Sequence, residues 1–139
     1  MPHLAIEYSS GLEQRADVSA LCQALHKVMV ECDLFPPAGI RVRAYRADYA
    51  IVADGLASND FAAMTLSVGA GRDKAALRTA GAALFAAAET ALAGPLATPH
   101  FALSLEIRII DPDLSWKTTP IHNRLSAPSK AAPSESDVS

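Results

Sequence analysis

The chain has 139 residues, half of them hydrophobic, and a formal net charge of -3. That length supports one domain with a substantial core, burying roughly two-thirds of the surface its unfolded form exposes. The mild acidity and the lack of any block of like charge argue against a nucleic-acid partner, and no apolar run approaches the ~20 residues that span a bilayer.

The first residues, MPHLAIEYSS, carry no basic-then-apolar leader pattern, so a cytoplasmic protein is expected. From His3 to Ser9 the letters alternate, Leu4, Ile6 and Tyr8 against His3, Ala5, Glu7 and Ser9, which predicts a short strand. Ser10 and Glu13 fit a capping box, and Val18, Leu21, Leu25, Val28, Met29 and Cys32 then recur as one apolar stripe. A helix of about five turns is expected, ending before Pro36 and Pro37. Cys22 and Cys32 fall on different faces of it, so two buried structural thiols are expected rather than a disulfide.

A second strand is predicted from Ile40, bent or hairpinned near Ala47 and Asp48 and closing on a turn at Asp54 and Gly55. The pattern then repeats. FAAMTLSVGAGR reads as a strand entering a glycine-rich loop, and an alanine-rich helix follows with Asp73 as its N-cap and Gly94–Pro95 as its stop. FALSLEIRIID alternates most clearly of all, Phe101, Leu103, Leu105, Ile107 and Ile109 against Ala102, Ser104, Glu106 and Arg108. Two β-α-β units with right-handed crossovers give an α+β fold, a four-stranded sheet with both helices on one face. The strands are expected to offer apolar side chains to the uncovered face as well, which argues for self-association. Residues 1–125 form this domain, and the Ser-, Ala- and Pro-rich stretch 126–139 is read as a disordered tail.

Three features bear on chemistry. Pro2 suits the first position of a strand, where no ladder bond is lost; equally, removal of Met1 would expose a secondary amine able to act as a base. Arg41 and Arg43 share one strand face, where they suit either a salt bridge to Asp48 or Glu7 or a two-pronged grip on a carboxylate. The GAGR loop lacks the lysine and hydroxyl of a phosphate loop and suits a tight turn, yet Arg72 stands beside a helix N-terminus that favours anions. His3, His26 and Cys22 show no acid or nucleophile partner and read as structural. The four histidines form no metal-type spacing with the cysteines, so no metal is expected.

The ordered set MPH, FPPAGIRVR at Phe35 to Arg43, ADG at Ala53 to Gly55, MTLSVGAGR at Met64 to Arg72 and LSLEI at Leu103 to Ile107 resembles the 5-carboxymethyl-2-hydroxymuconate isomerase family of the tautomerase superfamily. The resemblance implies a cofactor-free isomerase of homoprotocatechuate degradation, acting on a small polycarboxylate substrate, and a homotrimer. It also implies that Pro2 is the catalytic base and that Arg41 and Arg72 act at the substrate, with Arg43 and Lys117 as candidates for a third carboxylate. Two other readings stand beside it, a ligand-binding regulatory domain of ferredoxin-like topology and a catalytically silent trimer of the same fold.

Overall fold

The computed structural model describes residues 2–126. Strand β1 (His3–Ser9) leads through a 3₁₀ turn at Ser10–Gln14 into α1 (Val18–Glu31), and a second 3₁₀ turn at Pro37–Gly39 precedes β2 (Arg41–Ala47). After a long connection come β3 (Asp60–Gly69), α2 (Lys74–Ala91), the short α3 (Ala93–Leu96) and β4 (Phe101–Ile110). A 3₁₀ turn at Pro112–Leu114 and α4 (Pro120–Ser126) follow. The expected tail therefore lies outside the described residues, except for Ser126, which ends α4.

Each unit pairs its own strands in parallel, and the two units join antiparallel through β1 and β3, giving the order β2-β1-β3-β4. This is the predicted duplicated β-α-β sheet. Leu4 and Ile6 of β1 and Met64, Leu66 and Val68 of β3 are buried in one cluster with Leu21, Leu25 and Met29 of α1 and Leu84 and Ala88 of α2. Gly81 lets α2 lie close to β4, because a Cβ there would stand only 3.1 Å from Ile107 Cδ1.

Several local expectations are corrected. Ser10 and Glu13 do not form a capping box: the segment first turns in 3₁₀ form to tuck Leu12 into the core, and α1 starts at Val18, capped by Asp17 accepting from Ala20 N at 3.0 Å. Glu13 instead accepts from the Tyr8 hydroxyl at 2.7 Å. Cys32 stands just past the end of this shorter helix, and both thiols are free and half-buried rather than buried. Asp73 occupies the N-cap position of α2 without a side-chain cap bond, and Gly94 and Pro95 lie inside α3, since α2 already ends at Ala91.

No hairpin follows β2. Residues 48–59 form a loop in which Asn59 Nδ2 donates to Val52 O at 2.9 Å and to Asp54 Oδ1 at 2.6 Å, so side-chain bonds replace a strand ladder. Ala53 and Gly55 turn the chain with φ of 54° and 86°. The loop holds Tyr49 and Ile51 at 96% and 92% exposure, far more than their apolar surface favours in an isolated chain.

The uncovered sheet face is mixed rather than uniformly apolar: Tyr45, Phe61 and Ala63 lie on it among polar and charged neighbours. The register aligns His3 with Arg41 and Ser67, Ala5 with Arg43 and Thr65, and Thr65 with Glu106 on that face. With a period of two, the main apolar set of each strand faces the helices, and the set of β4 that includes Leu103, Leu105 and Ile107 packs on that core.

At the far end of β1, the buried Asp60 carboxylate takes the Ser9 hydroxyl at 2.7 Å and pairs with Arg15, while Ser9 Oγ accepts from Phe61 N at 2.9 Å. Replacing Asp60 by Ala strands both partners beside a buried backbone. Urea denaturation of Asp60→Ala should show a loss of about 2–3 kcal/mol, with Arg15's partial exposure keeping it below the full cost of breaking a buried pair. A loss under about 0.5 kcal/mol would mean that this cluster does not stitch β1 to β3.

Candidate active site

The parallel register of β1 and β2 brings the start of both strands together. Arg41 N donates to Pro2 O at 3.1 Å, and the Pro2 ring is fully buried at the head of β1. On the uncovered face, Arg41 Nη1 lies 3.2 Å from His3 Nε2 and donates to Gly39 O at 3.4 Å. A guanidinium has only donors, so the imidazole nitrogen is the acceptor and the His3 proton sits on Nδ1. Arg43 follows two residues along the same face, opposite Ala5. Asp48, one of the partners considered for these arginines, is approached by Arg46, which lies 3.6 Å from both Asp48 and Glu13.

Because β3 runs antiparallel to β1, its C-terminal end returns to this same edge, and Ser67 stands opposite His3. Two residues past Gly69, Gly71 turns the chain with φ of 100°, a conformation suited to glycine, and delivers Arg72. Arg72 Nη1 donates to Gly69 O at 3.0 Å and Nε to Leu34 O at 3.3 Å, with the guanidinium 6.0 Å from the centre of the Phe35 ring. Arg72 thus reaches the same end of the sheet as Pro2 and Arg41, but it is anchored on the connection between α1 and β2 and not on the strand face.

Lys117 belongs to the segment that returns from β4. It lines a cavity of about 270 Å³ with Thr119, His122 and Asn123 on one side and Pro36, Ala38 and Gly39 on the other. Gly39 therefore links this cavity to Arg41. Thr119, His122 and Asn123 gave no signal in the sequence, since only the packing of α4 on the Pro37–Gly39 turn brings them here. His3 had read as structural because its partner lies thirty-eight residues away and meets it only through strand pairing.

Burial first, and then the Arg41 and Arg43 cations, hold the His3 pKa below its ordinary 6.5. Elsewhere, the bond to Glu13 raises the Tyr8 hydroxyl, and burial raises the Cys22 thiol. Among the described residues, no helix is long and apolar enough to cross a membrane.

Proteins similar to this chain in sequence and in fold are known. Residues 2–125 match the sequence profile described as 5-carboxymethyl-2-hydroxymuconate isomerase. A curated 5-carboxymethyl-2-hydroxymuconate Delta-isomerase of Escherichia coli is 35% identical over 124 residues, covering 88% of this chain and 97% of that protein. The crystal structure of a 5-carboxymethyl-2-hydroxymuconate isomerase from Deinococcus radiodurans is similar at a TM-score of 0.84 and 35% identity, covering 91% of this chain and 95% of the other. A fused 4-OT symmetric trimer shares the fold at a TM-score of 0.61 and 20% identity, covering 80% and 88% of the two chains.

The state of His3 is open to direct observation. In an NMR titration its imidazole should protonate below 6.5, and Arg41→Gln should move the value up without restoring it fully, because burial remains. A depressed histidine stabilises the fold above its unfolded pKa, and that contribution is lost as the pH falls through the folded value. A His3 that titrates at or above 6.5 in the parent protein would contradict the arrangement.

Proposed function

Because the chain belongs to the 5-carboxymethyl-2-hydroxymuconate isomerase family, we propose that it converts 5-carboxymethyl-2-hydroxymuconate into its 2-oxo-3-ene isomer, with Pro2 as the base. The observation that carries the reading is the pairing of Pro2 with Arg41 at the head of the sheet, the end to which the β3–α2 loop also brings Arg72. The domain that does this is residues 1–125. The reading places the reaction in the cytoplasm, in degradation of 4-hydroxyphenylacetate through homoprotocatechuate.

With Met1 removed, Pro2 ends in a secondary amine on a ring that the core holds in place. Guanidinium groups at the same end of the sheet disfavour its protonated form. The neutral amine takes the proton from the 2-hydroxyl, and the electrons of that O–H bond become the 2-oxo group. The double bonds shift along the dienol, and the proton returns to the far carbon of the diene, leaving the 3-ene conjugated with the ketone. No oxidant or metal is needed, because one O–H bond breaks and one C–H bond forms.

The substrate is a tricarboxylate, and a chain of net charge -3 does not attract it at long range. Arg41 and Arg72 hold two carboxylates and stabilise the oxyanion that develops at the 2-position. Arg43, along the strand, and Lys117, in the cavity beyond Gly39, are placed to receive the third.

A homotrimer is part of the same proposal. It is supported by the trimeric relative of this fold and by apolar side chains that an isolated chain leaves in water, Tyr49, Ile51 and Trp116 being 96%, 92% and 85% exposed. Sedimentation should report about three times the 14.6 kDa chain mass at micromolar concentration. A stable, active monomer would rule out the assembly.

Protein that keeps Met1 carries an amide where the base should be. Its kcat/KM should be lower than that of the processed protein by about 10²-fold or more, with intact mass identifying the two forms. Equal rates would exclude Pro2 as the base.

Replacing Arg41 or Arg72 by Ala should reduce kcat/KM by about 10²-fold, the scale of one preorganised electrostatic contact, and Lys should restore only part. If both Ala variants assemble normally and keep the parental kcat/KM, the substrate binds elsewhere.

A further inference from the structure

We infer that His3 is a positioning residue for this isomerisation: its neutral imidazole accepts a hydrogen bond that holds the Arg41 guanidinium over the uncovered sheet face. The inference rests on the reading of Arg41 as a substrate ligand. Arg41 Nη1 and His3 Nε2 stand 3.2 Å apart, on residues that the strand register places side by side. Both belong to paired strands at the edge where Pro2 lies, so a fixed imidazole transmits the rigidity of β1 to a long, rotatable side chain on β2. Gly39 O also accepts from Nη1, at 3.4 Å. Both acceptors help to set the direction of the guanidinium plane, which decides whether its fork meets a carboxylate.

The bond exists in only one protonation state. An imidazolium has no lone pair to offer, so protonating His3 replaces the hydrogen bond by contact between two cations, and Arg41 must turn away. The groups around His3 oppose that protonation. Across β2 stand Arg41 and Arg43; across β3 stand Ser67 and Thr65, which carry no charge. On β1 itself Glu7 lies four residues along the same face, about 13 Å away, and the amine proposed for Pro2 is one residue back. Helices α1 and α2 pack on the opposite face. Burial and the two arginines keep the pKa low, in agreement with this geometry.

Two ionisations should therefore shape the acid limb of kcat/KM, that of Pro2 and that of His3. The test compares the parent enzyme with His3→Gln and His3→Leu in pH profiles on 5-carboxymethyl-2-hydroxymuconate, with Arg41→Ala measured alongside. Gln offers a carbonyl acceptor that does not titrate, so His3→Gln should keep KM within about threefold of the parent while its acid limb loses one ionisation. Leu offers no acceptor, so His3→Leu should raise KM by about tenfold, the scale of one hydrogen bond to a charged group, and should lower kcat as well, because Arg41 also faces the developing oxyanion. A parental acid limb in His3→Gln, or a parental KM in a folded His3→Leu, would overturn the inference. Should His3→Leu fail to fold, the His3→Gln profile decides alone. An impaired Arg41→Ala beside an unaffected His3→Leu removes only the role of His3; an unaffected Arg41→Ala removes the reading of Arg41 and this inference with it.

Discussion

The site depends on one backbone hydrogen bond, from Arg41 N to Pro2 O at 3.1 Å. It extends the parallel ladder of β1 and β2 by one step beyond the strands, and in doing so sets the register that places His3 beside Arg41. The segment feeding that bond, Leu34 to Arg41, touches every other part of the site. Leu34 O and the Phe35 ring seat Arg72, Pro36, Ala38 and Gly39 wall the cavity of Lys117, and Gly39 O holds Arg41. Two consecutive prolines with restricted φ stiffen this connection, so its carbonyls point where the turn sends them.

Stability and chemistry occupy opposite ends of the same sheet. Where β1 ends, Asp60, Ser9 and Arg15 form a polar cluster that ties β1 to β3, and Gly11 leaves room for it, since a Cβ there would stand 2.8 Å from Asp60 Oδ1. Where β1 begins, cations gather on elements that the core holds rigidly from below. The resulting local attraction compensates for an acidic chain, whose long-range field repels the proposed substrate.

The fold was legible because each unit repeats the same signals: strict alternation at His3–Ser9 and Phe101–Ile110, and a three-to-four-residue apolar stripe from Val18 to Met29. What the letters hid were features decided by tertiary contact. The start of α1 was missed because Ser10 looks like a cap, whereas burial of Leu12 requires a 3₁₀ turn first. Apolar side chains were expected on both sheet faces, and Tyr45 and Phe61 do lie on the uncovered one, but the register aligns the main apolar set of each strand on the helix side. At the site, Pro2, Arg41 and Arg72 stood out through their motifs, but the His3–Arg41 bond spans two strands and the cavity around Lys117 is made by α4 folding back. Neither relation exists within any local window. Membership of the isomerase family also removes the ground for a regulatory ferredoxin-like domain, which had rested on element order alone.

The claim on which the rest turns is that Pro2 is an amine base made neutral by its surroundings. It is tested most directly by titrating the amine itself, with ¹⁵N-labelled proline in the processed protein. A proline base should lose its proton below the ordinary range of an α-amine, about 8, at the same pH where kcat/KM rises. An amine that stays protonated through that rise, or that titrates with no counterpart in the rate profile, would contradict it.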